Sequence, residues 1–466
     1  MLTEKKIDFY KRFIPFTISL ALFMEAVDAT IINTAIPAMS KSLSVDPIDL
    51  KIALISYLMS MAIFIPISGW VADKFGIKRV FMFALMVFII ASFWCGCSTH
   101  LPELILARTL QGLGGSLMTP VGRLIIARFF ERHELAAIMG RVVMVAALGM
   151  MLGPVLGGYI TYYFSWRWIF WVNIPFGMMT ICFAFYVLID IKPEKVPPFD
   201  KIGFILFGSG LAGLTFGFSA ISESSFKHSL TFLIIGCSIL LLLLYGRYAR
   251  HQLHPIVNTQ VFRFRTFRIS ALGNLFARTS FGGIPFLLPL LLQIGLGYPA
   301  QLSGLLLAPT ALGILLIKPF VTRFLQTFGY KKLLMLNTFL ISVMLWSFIL
   351  IGRDISNYMI GTLTLLYGFL MSLQYTGMNS LAYAEILPEN LSALTSIMST
   401  IQQISQSFGV ALSAFLIYFF SKNNQLTPTV FHYTFLVLGC ITLCSIFIFM
   451  RLKLTDGDQM IPKDFK

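Results

Sequence analysis

The chain has 466 residues, 57% of them hydrophobic and only 12% charged, with a formal net charge of +15. A water-soluble protein of this size carries charge on roughly a quarter of its residues, so a large soluble domain is excluded. The positive balance does not imply nucleic acid. If successive apolar blocks cross a bilayer, most of the 35 Lys and Arg fall on loops and tails of one side, the bias that keeps basic loops in the cytoplasm.

Apolar blocks of about twenty residues, enough to cross a ~30 Å bilayer core, recur along the whole chain. Fourteen are read, at approximately 13–37, 50–71, 80–98, 101–125, 137–163, 168–189, 201–220, 229–247, 268–294, 301–322, 332–351, 357–380, 394–420 and 430–450. An even number puts both termini in the cytoplasm. The first block follows a basic start and resembles a secretory signal as far as Ala29. Apolar sequence continues to Met39, so the block reads as an uncleaved span. It carries Glu25 and Asp28, three residues apart and therefore on one helix face. Carboxylates inside lipid are costly and mark pathways or proton relays.

Between the second and third blocks stands "GWVADKFGIKRV". The positive-inside bias accounts for Lys74, Lys78 and Arg79. It does not account for Asp73 at a helix C-terminus, where the macrodipole disfavours a negative charge. A cation such as Arg123 or Arg128 would compensate it and latch one conformation. The fourth block carries Arg108 and Gln111. At a rise of about 1.5 Å per residue, Asp28 lies roughly 22 Å and Arg108 roughly 20 Å from the inner face, so the two are expected to pair. The fifth block reads "GMMLGPVLGG". Gly149, Gly153 and Gly157, spaced by four, make a smooth stripe for close helix contact, and Pro154 removes a backbone bond.

After six blocks comes the Pro-rich, charged "DIKPEKVPPFDK", then two blocks poor in charge, then a basic segment "GRYARHQLHPIVNTQVFRFRTFR", then six more blocks. The expected plan is an N-terminal six-helix bundle over 1–190, two inserted helices with a basic cytoplasmic linker over 191–265, and a C-terminal six-helix bundle over 266–466. The halves look duplicated. "TRFLQTFGYKKLL" follows the tenth block as the earlier loop follows the second, pairing Gly76 with Gly329 and Asp73 with Gln326. Internal duplication is a transporter signature, with the binding site expected near the midplane. Arg278 falls near that depth in the ninth block. Asn33, Gln111, Asn274, Gln374, Asn379 and Gln403 are candidate cavity-lining groups with it. Lys318 either snorkels or faces the cavity. Cys95 and Cys97 read as buried packing, and no paired-thiol metal pattern occurs.

These stretches resemble the major facilitator superfamily. The loop from Gly69 to Arg79, with Gly69, Asp73, Lys74, Gly76, Lys78 and Arg79, is similar to that family's loop signature. "RTLQGLGGSL" matches its fourth-helix motif at Arg108, Gln111 and Gly112. Gly149, Gly153, Pro154, Gly157 and Gly158 match the fifth-helix motif of its antiporters. "DATIINTAIP" and "WRWIFWVNIPFG" resemble the fourteen-span drug/proton antiporter branch. The resemblance covers essentially the whole chain, with Gln326 a departure from the acid of the second loop copy. It implies an all-α membrane protein of the major facilitator fold, two six-helix bundles plus two extra helices.

The function that follows is a proton-coupled exporter of drug-like or amphiphilic small molecules, working by alternating access. It would sit as a monomer in the plasma (inner) membrane, without cofactor, metal or enzymatic activity. Asp28, Glu25 and Arg108 would couple protons. Asp73, Arg123 and Arg128, with the loop residues, would form the conformational latch. No G-x-x-x-x-G-K-[ST] nucleotide loop is present, so an ion gradient is the expected drive. Deep charge is neutral to positive, which keeps open an exporter of an anionic metabolite or metal chelator. An uptake symporter and a non-transporting receptor are the other readings.

Overall fold

The computed structural model describes residues 4–130, 132–190, 196–221, 228–352, 354–385, 391–421 and 425–458. Residues 191–195 of the Pro-rich connection lie outside that set. Among the described residues all regular structure is helical. The principal helices are α1 (Glu4–Ile31), α2 (Lys51–Phe64), α3 (Ile77–Cys97), α4 (Leu101–Phe129), α5 (Arg132–Tyr163), α6 (Asn173–Val187), α7 (Lys201–Ala220), α8 (His228–Ala249), α9 (Arg265–Phe281), α10 (Ala300–Ile317), α11 (Val321–Ser347), α12 (Asn357–Ala382), α13 (Leu391–Phe420) and α14 (Pro428–Cys444).

Eleven stretches of described residues are helical, long and apolar enough to cross a membrane. One of these, Ala300–Leu350, is 51 residues long, about twice what a bilayer core requires. It breaks inside α11 at Gly329, where φ is 67° and ψ 165°. The loop glycine of the first copy, Gly76, also has positive φ, 100°. Only glycine adopts this conformation without steric cost, so the two loop copies share a backbone requirement as well as a sequence pattern. Outside the eleven stand α4, which carries Glu103, Arg108, Arg123 and Arg128, and α12, diluted by Asn, Thr, Ser and Gln.

The chain divides into two compact units, Met1–Asp200 and Lys201–Lys466. In the first, Ile18, Phe81, Phe88, Met118 and Ile126 form a fully buried core from α1, α3 and α4. Helix α5 lies along α1 on its glycine stripe. A methyl group at Gly149 would come 2.7 Å from the Phe23 carbonyl oxygen. At Gly153 and Gly157 it would collide with the hydroxyls of Thr30 and Thr34. In the second unit α13 meets α9 in the same manner, with Gly409 against the Thr279 carbonyl and the Gly283 amide.

Helices α7 and α8 belong to the second unit. They pack on each other through Gly210, Gly213 and Gly217. Phe218 of α7 packs at a tilt against Phe408 of α13, with ring centroids 5.0 Å apart. Tyr245 of α8 shares a buried cluster with Val261, Phe267 and Met398. Large apolar side chains such as Ile90, Phe93, Leu243 and Phe447 are exposed, as expected where the solvent is hydrocarbon. Cys97 is likewise exposed, contrary to the expectation of buried packing, while Cys95 is buried. Two residues along a helix is about 200° of rotation, so a C-x-C pair cannot share one face.

Candidate functional site

Asp28 of α1 is completely buried in the first unit and accepts three hydrogen bonds. Arg108 Nη1 donates to its Oδ2 at 2.8 Å. Gln111 Nε2 and Asn173 Nδ2 donate to its Oδ1, each at 2.8 Å. Arg108 and Gln111, three apart on α4, share one face. Arg108 Nη1 also donates to Gln111 Oε1 at 2.5 Å, which aims the Gln111 amide group at Asp28 and at Ser92 Oγ, 2.7 Å away. Helices α4 and α6 thus converge on the α1 carboxylate, and Ser92 of α3 joins the network through Gln111 and Asn173. The Tyr57 ring lies 4.2 Å from the Arg108 guanidinium carbon, a cation–π contact that offsets part of the desolvation. Arg108 Nε and the Tyr57 hydroxyl are buried without a partner. The three donors all require lone pairs on Asp28, so a proton added there displaces a bond and leaves a buried guanidinium uncompensated. Such a loss is expensive.

Glu25, nearly one turn earlier on α1, has a different environment. It is only partly buried, and Thr119 Oγ1 donates to its Oε2 at 2.6 Å. Arg123 lies four residues further along α4, on the same stripe as Thr119. Among the described residues Arg123 forms no ion pair with Asp73. Asp73 accepts instead from Arg128 Nη2. The reason is helical phase: Arg123 follows Thr119 by four and lies on the stripe toward α1, whereas Arg128 in the last turn of α4 reaches the loop. Elsewhere in that loop Lys78 Nζ donates to the Phe185 carbonyl at 2.6 Å. Arg79 Nε meets Asp190 Oδ2 at 3.1 Å, and the Asp190 carboxyl sits directly over Gly76. Lys74 is exposed, and a methyl group at Gly69 would touch nothing within 4 Å.

The candidate lining residues divide. Gln111 belongs to the Asp28 network, not to a substrate surface. Gln374 is fully buried, accepting from Asn337 Nδ2 at 2.8 Å and donating to Thr338 Oγ1 at 2.9 Å. An amide so saturated by a neighbouring helix is interhelical glue. Asn33 bonds back to the Thr30 carbonyl at 3.3 Å, and Asn379 accepts from Gln402 at 3.0 Å. Asn274 donates to the Ser270 carbonyl at 3.1 Å while its Oδ1 is buried without a partner. Gln403 is half-buried. Arg278 lies in α9 with its guanidinium carbon 3.6 Å from the centroid of the Tyr375 ring.

Several contributors carried no assigned role in the sequence. Asn173 lies inside "WRWIFWVNIPFG", so a signal existed. Ser92, Thr119, Tyr57 and Tyr375 had none, because hydroxyl residues are common in spanning helices whatever they do.

Comparison with known proteins agrees with this architecture. The sequence model of the Major Facilitator Superfamily matches residues 18–407 and 270–464. HsrA of Haemophilus influenzae, provisionally named a transport protein, is 37% identical over 446 residues, covering 95% of this chain and 96% of that one. MdtD of Escherichia coli O157:H7, provisionally named a multidrug resistance protein, is 34% identical over 440 residues, 93% of each chain. Among solved structures, a D-xylose-proton symporter superposes with a TM-score of 0.68 at 14% identity, over 96% of this chain and 99% of that one. The human organic anion transporter MFSD10 gives 0.62 at 14% identity, over 94% and 99%. At these identities the structures speak for the fold alone.

Proposed function

The chain belongs to the major facilitator superfamily, as a multi-pass membrane transporter and not an enzyme, and from that premise we propose that it exports amphiphilic small molecules in exchange for protons. The name of one relative, a multidrug resistance protein, supports drug-like substrates; that of the other supports transport alone. On this reading fourteen helices span the plasma (inner) membrane, both termini are cytoplasmic, the working unit is a monomer and transport proceeds by alternating access.

The observation that carries the reading is the contrast between the two carboxylates of α1. Asp28 accepts from a guanidinium and two amides. Glu25 is bonded by one hydroxyl and gains a proton without breaking an ion pair. Glu25 therefore exchanges the proton with water. Asp28 takes one only when α4 withdraws Arg108, which ties protonation to helix movement. Asp73 and Arg128 hold the loop end of the same bundle in one of its conformations.

The test uses proteoliposomes with a pH-sensitive dye inside and an imposed proton gradient. Glu25→Gln is expected to abolish gradient-driven transport while retaining substrate counterflow, since exchange without net proton movement needs no titrating group. A Glu25→Gln variant that still concentrates substrate against its gradient removes Glu25 from the coupling role. Persistence of gradient-driven transport in Glu25→Gln, Asp28→Asn double variants removes proton coupling by α1 altogether.

A further inference from the structure

Arg278 is a buried cation without an anion. Its side chain is 7% exposed, and Nε has no hydrogen-bond partner. Among the described residues it forms no ion pair. None is available from its own surroundings, because the helices α7 to α14 contain no Asp or Glu. The described acids of the second unit, Asp354, Glu385, Asp456 and Asp458, lie beyond the ends of those helices. What faces the guanidinium is the Tyr375 ring at 3.6 Å. Tyr375 is in turn set against Phe281, with ring centroids 5.4 Å apart. The Phe281 carbonyl accepts from Tyr367 Oη at 2.8 Å, which ties the end of α9 to α12.

The contrast with the first unit sharpens the point. In each unit two helices meet along a glycine seam, α1 and α5 with Gly153 over Thr30 and α9 and α13 with Gly409 against Thr279. The same helices carry a buried charge, Asp28 on α1 and Arg278 on α9. Asp28 brings its own cation, Arg108. Arg278 brings no counterion. An isolated charge in a low-dielectric interior is costly enough that proteins pair it, neutralise it or use it, and arginine does not deprotonate. The guanidinium carbon lies over the Tyr375 ring. The Arg278 Nε, buried without a partner, belongs to a guanidinium fork that matches a carboxylate in two parallel hydrogen bonds.

We propose that Arg278 and Tyr375 form an anion subsite in the second unit that takes the carboxylate of an organic acid with an apolar body. The proposal rests on the transporter reading above and adds to it the chemical class of the substrate. Tyr375 fixes the orientation of the guanidinium, and the carboxylate supplies the charge that the helices of this unit lack. Neutral analogues of the same shape leave Arg278 uncompensated, and cations add repulsion.

The test compares 1-naphthoate, neutral 1-naphthamide and cationic 1-naphthylmethylammonium, which share one apolar body. Binding to purified full-length protein is measured calorimetrically, and transport is measured in proteoliposomes. Wild type is expected to bind the acid roughly ten-fold or more tightly than the amide, the value of a charge-assisted hydrogen bond over a neutral one. Arg278→Gln is expected to abolish that preference while leaving amide binding within two-fold, and Arg278→Lys to restore part of it. Equal or tighter binding of the amide or the cation by wild type overturns the proposal, as does absence of acid binding. An equal loss of acid and amide in Arg278→Gln, with no recovery in Arg278→Lys, assigns Arg278 a structural role and also overturns it. Gradient-driven transport of the cation, unchanged in Arg278→Gln, sinks the anion subsite and leaves the transporter reading standing. Absence of gradient-driven transport for all three probes, with acid binding intact, sinks proton coupling and leaves the subsite standing.

Discussion

Asp28 and Glu25 show how three residues of separation on one helix produce two different chemistries. Asp28 is saturated by Arg108, Gln111 and Asn173, so replacing it with Asn leaves Arg108 buried with no anion. Removing one member of a buried pair costs about 3–5 kcal/mol, and a large drop in unfolding temperature is expected for Asp28→Asn in detergent. Glu25→Gln keeps a group able to accept from Thr119 and is expected to shift the midpoint little. Thermal unfolding of the two variants side by side checks this, and equal shifts would mean that Asp28 is less committed to its pair than its geometry indicates. The pair was legible in the sequence because charges are rare in spans and helix rise converts position to depth. Its outer ring was not. Ser92 and Asn173 complete the network; a serine in an apolar helix costs little and carries no positional signal, while Asn173 was marked by the stretch it lies in but not by a role. Arg123 and Arg128 were indistinguishable in sequence, since both end α4 near the inner face. Only helical phase sends one toward Glu25 and the other to Asp73.

At the scale of elements, the two halves keep the same joints and change what fastens them. The glycine seams recur, α1 on α5 and α9 on α13, and so does the positive-φ glycine of the loop after the second helix. The stripe on α5 and the two loop glycines were readable as spacing and punctuation; the seam of α13, with the single Gly409, was not. The fastening charge differs. Gln326 stands where the first copy has Asp73, and the carboxylate at that end of the second unit comes from the chain after α14. Asp456 accepts from Arg265 at the start of α9 and from the Lys453 backbone amide at 2.8 Å. A side chain at Gly457 would collide with the Tyr330 ring beside it. The segment is therefore clamped, though nothing in its composition distinguished it from an ordinary polar tail. Asp456→Asn removes the ion pair from a half-exposed partner, a loss on the order of 1 kcal/mol and hence a roughly five-fold larger open population. Trypsin cleavage after Lys453 in detergent-solubilised protein is expected to accelerate by about that factor. An unchanged rate would show that packing on Tyr330 alone holds the segment.

At the scale of the molecule, the open quantity is the parity of the crossings. Averaged hydropathy marks eleven stretches, an odd number that would leave the termini on opposite sides. The block reading and the break at Gly329 argue for fourteen, and the discrepancy lies in α4, α12 and the undivided Ala300–Leu350. The cause is functional for α4: Arg108 and Gln111, which hold Asp28, are what lower its mean hydropathy. For α12 it is interhelical bonding, through Gln374 to Asn337 and Thr338 and through Ser372 and Thr364 to α10 carbonyls at 3.1 and 2.9 Å. A helix whose polar groups are satisfied by its neighbours needs less apolar surface to remain in lipid. Single cysteines in a background lacking the native ones decide the matter, probed with a membrane-impermeant maleimide on whole cells. Thr99→Cys before α4 and Asp354→Cys before α12 are expected to react from outside. Lys74→Cys, Glu385→Cys and Lys453→Cys are expected to react only after permeabilisation. If α4 did not cross, every later loop would invert, and Glu385→Cys and Lys453→Cys would label on intact cells. If α12 alone failed to cross, Asp354→Cys and Glu385→Cys would label on the same side. Fourteen crossings thus require alternation across both polar helices, a pattern that neither single failure reproduces.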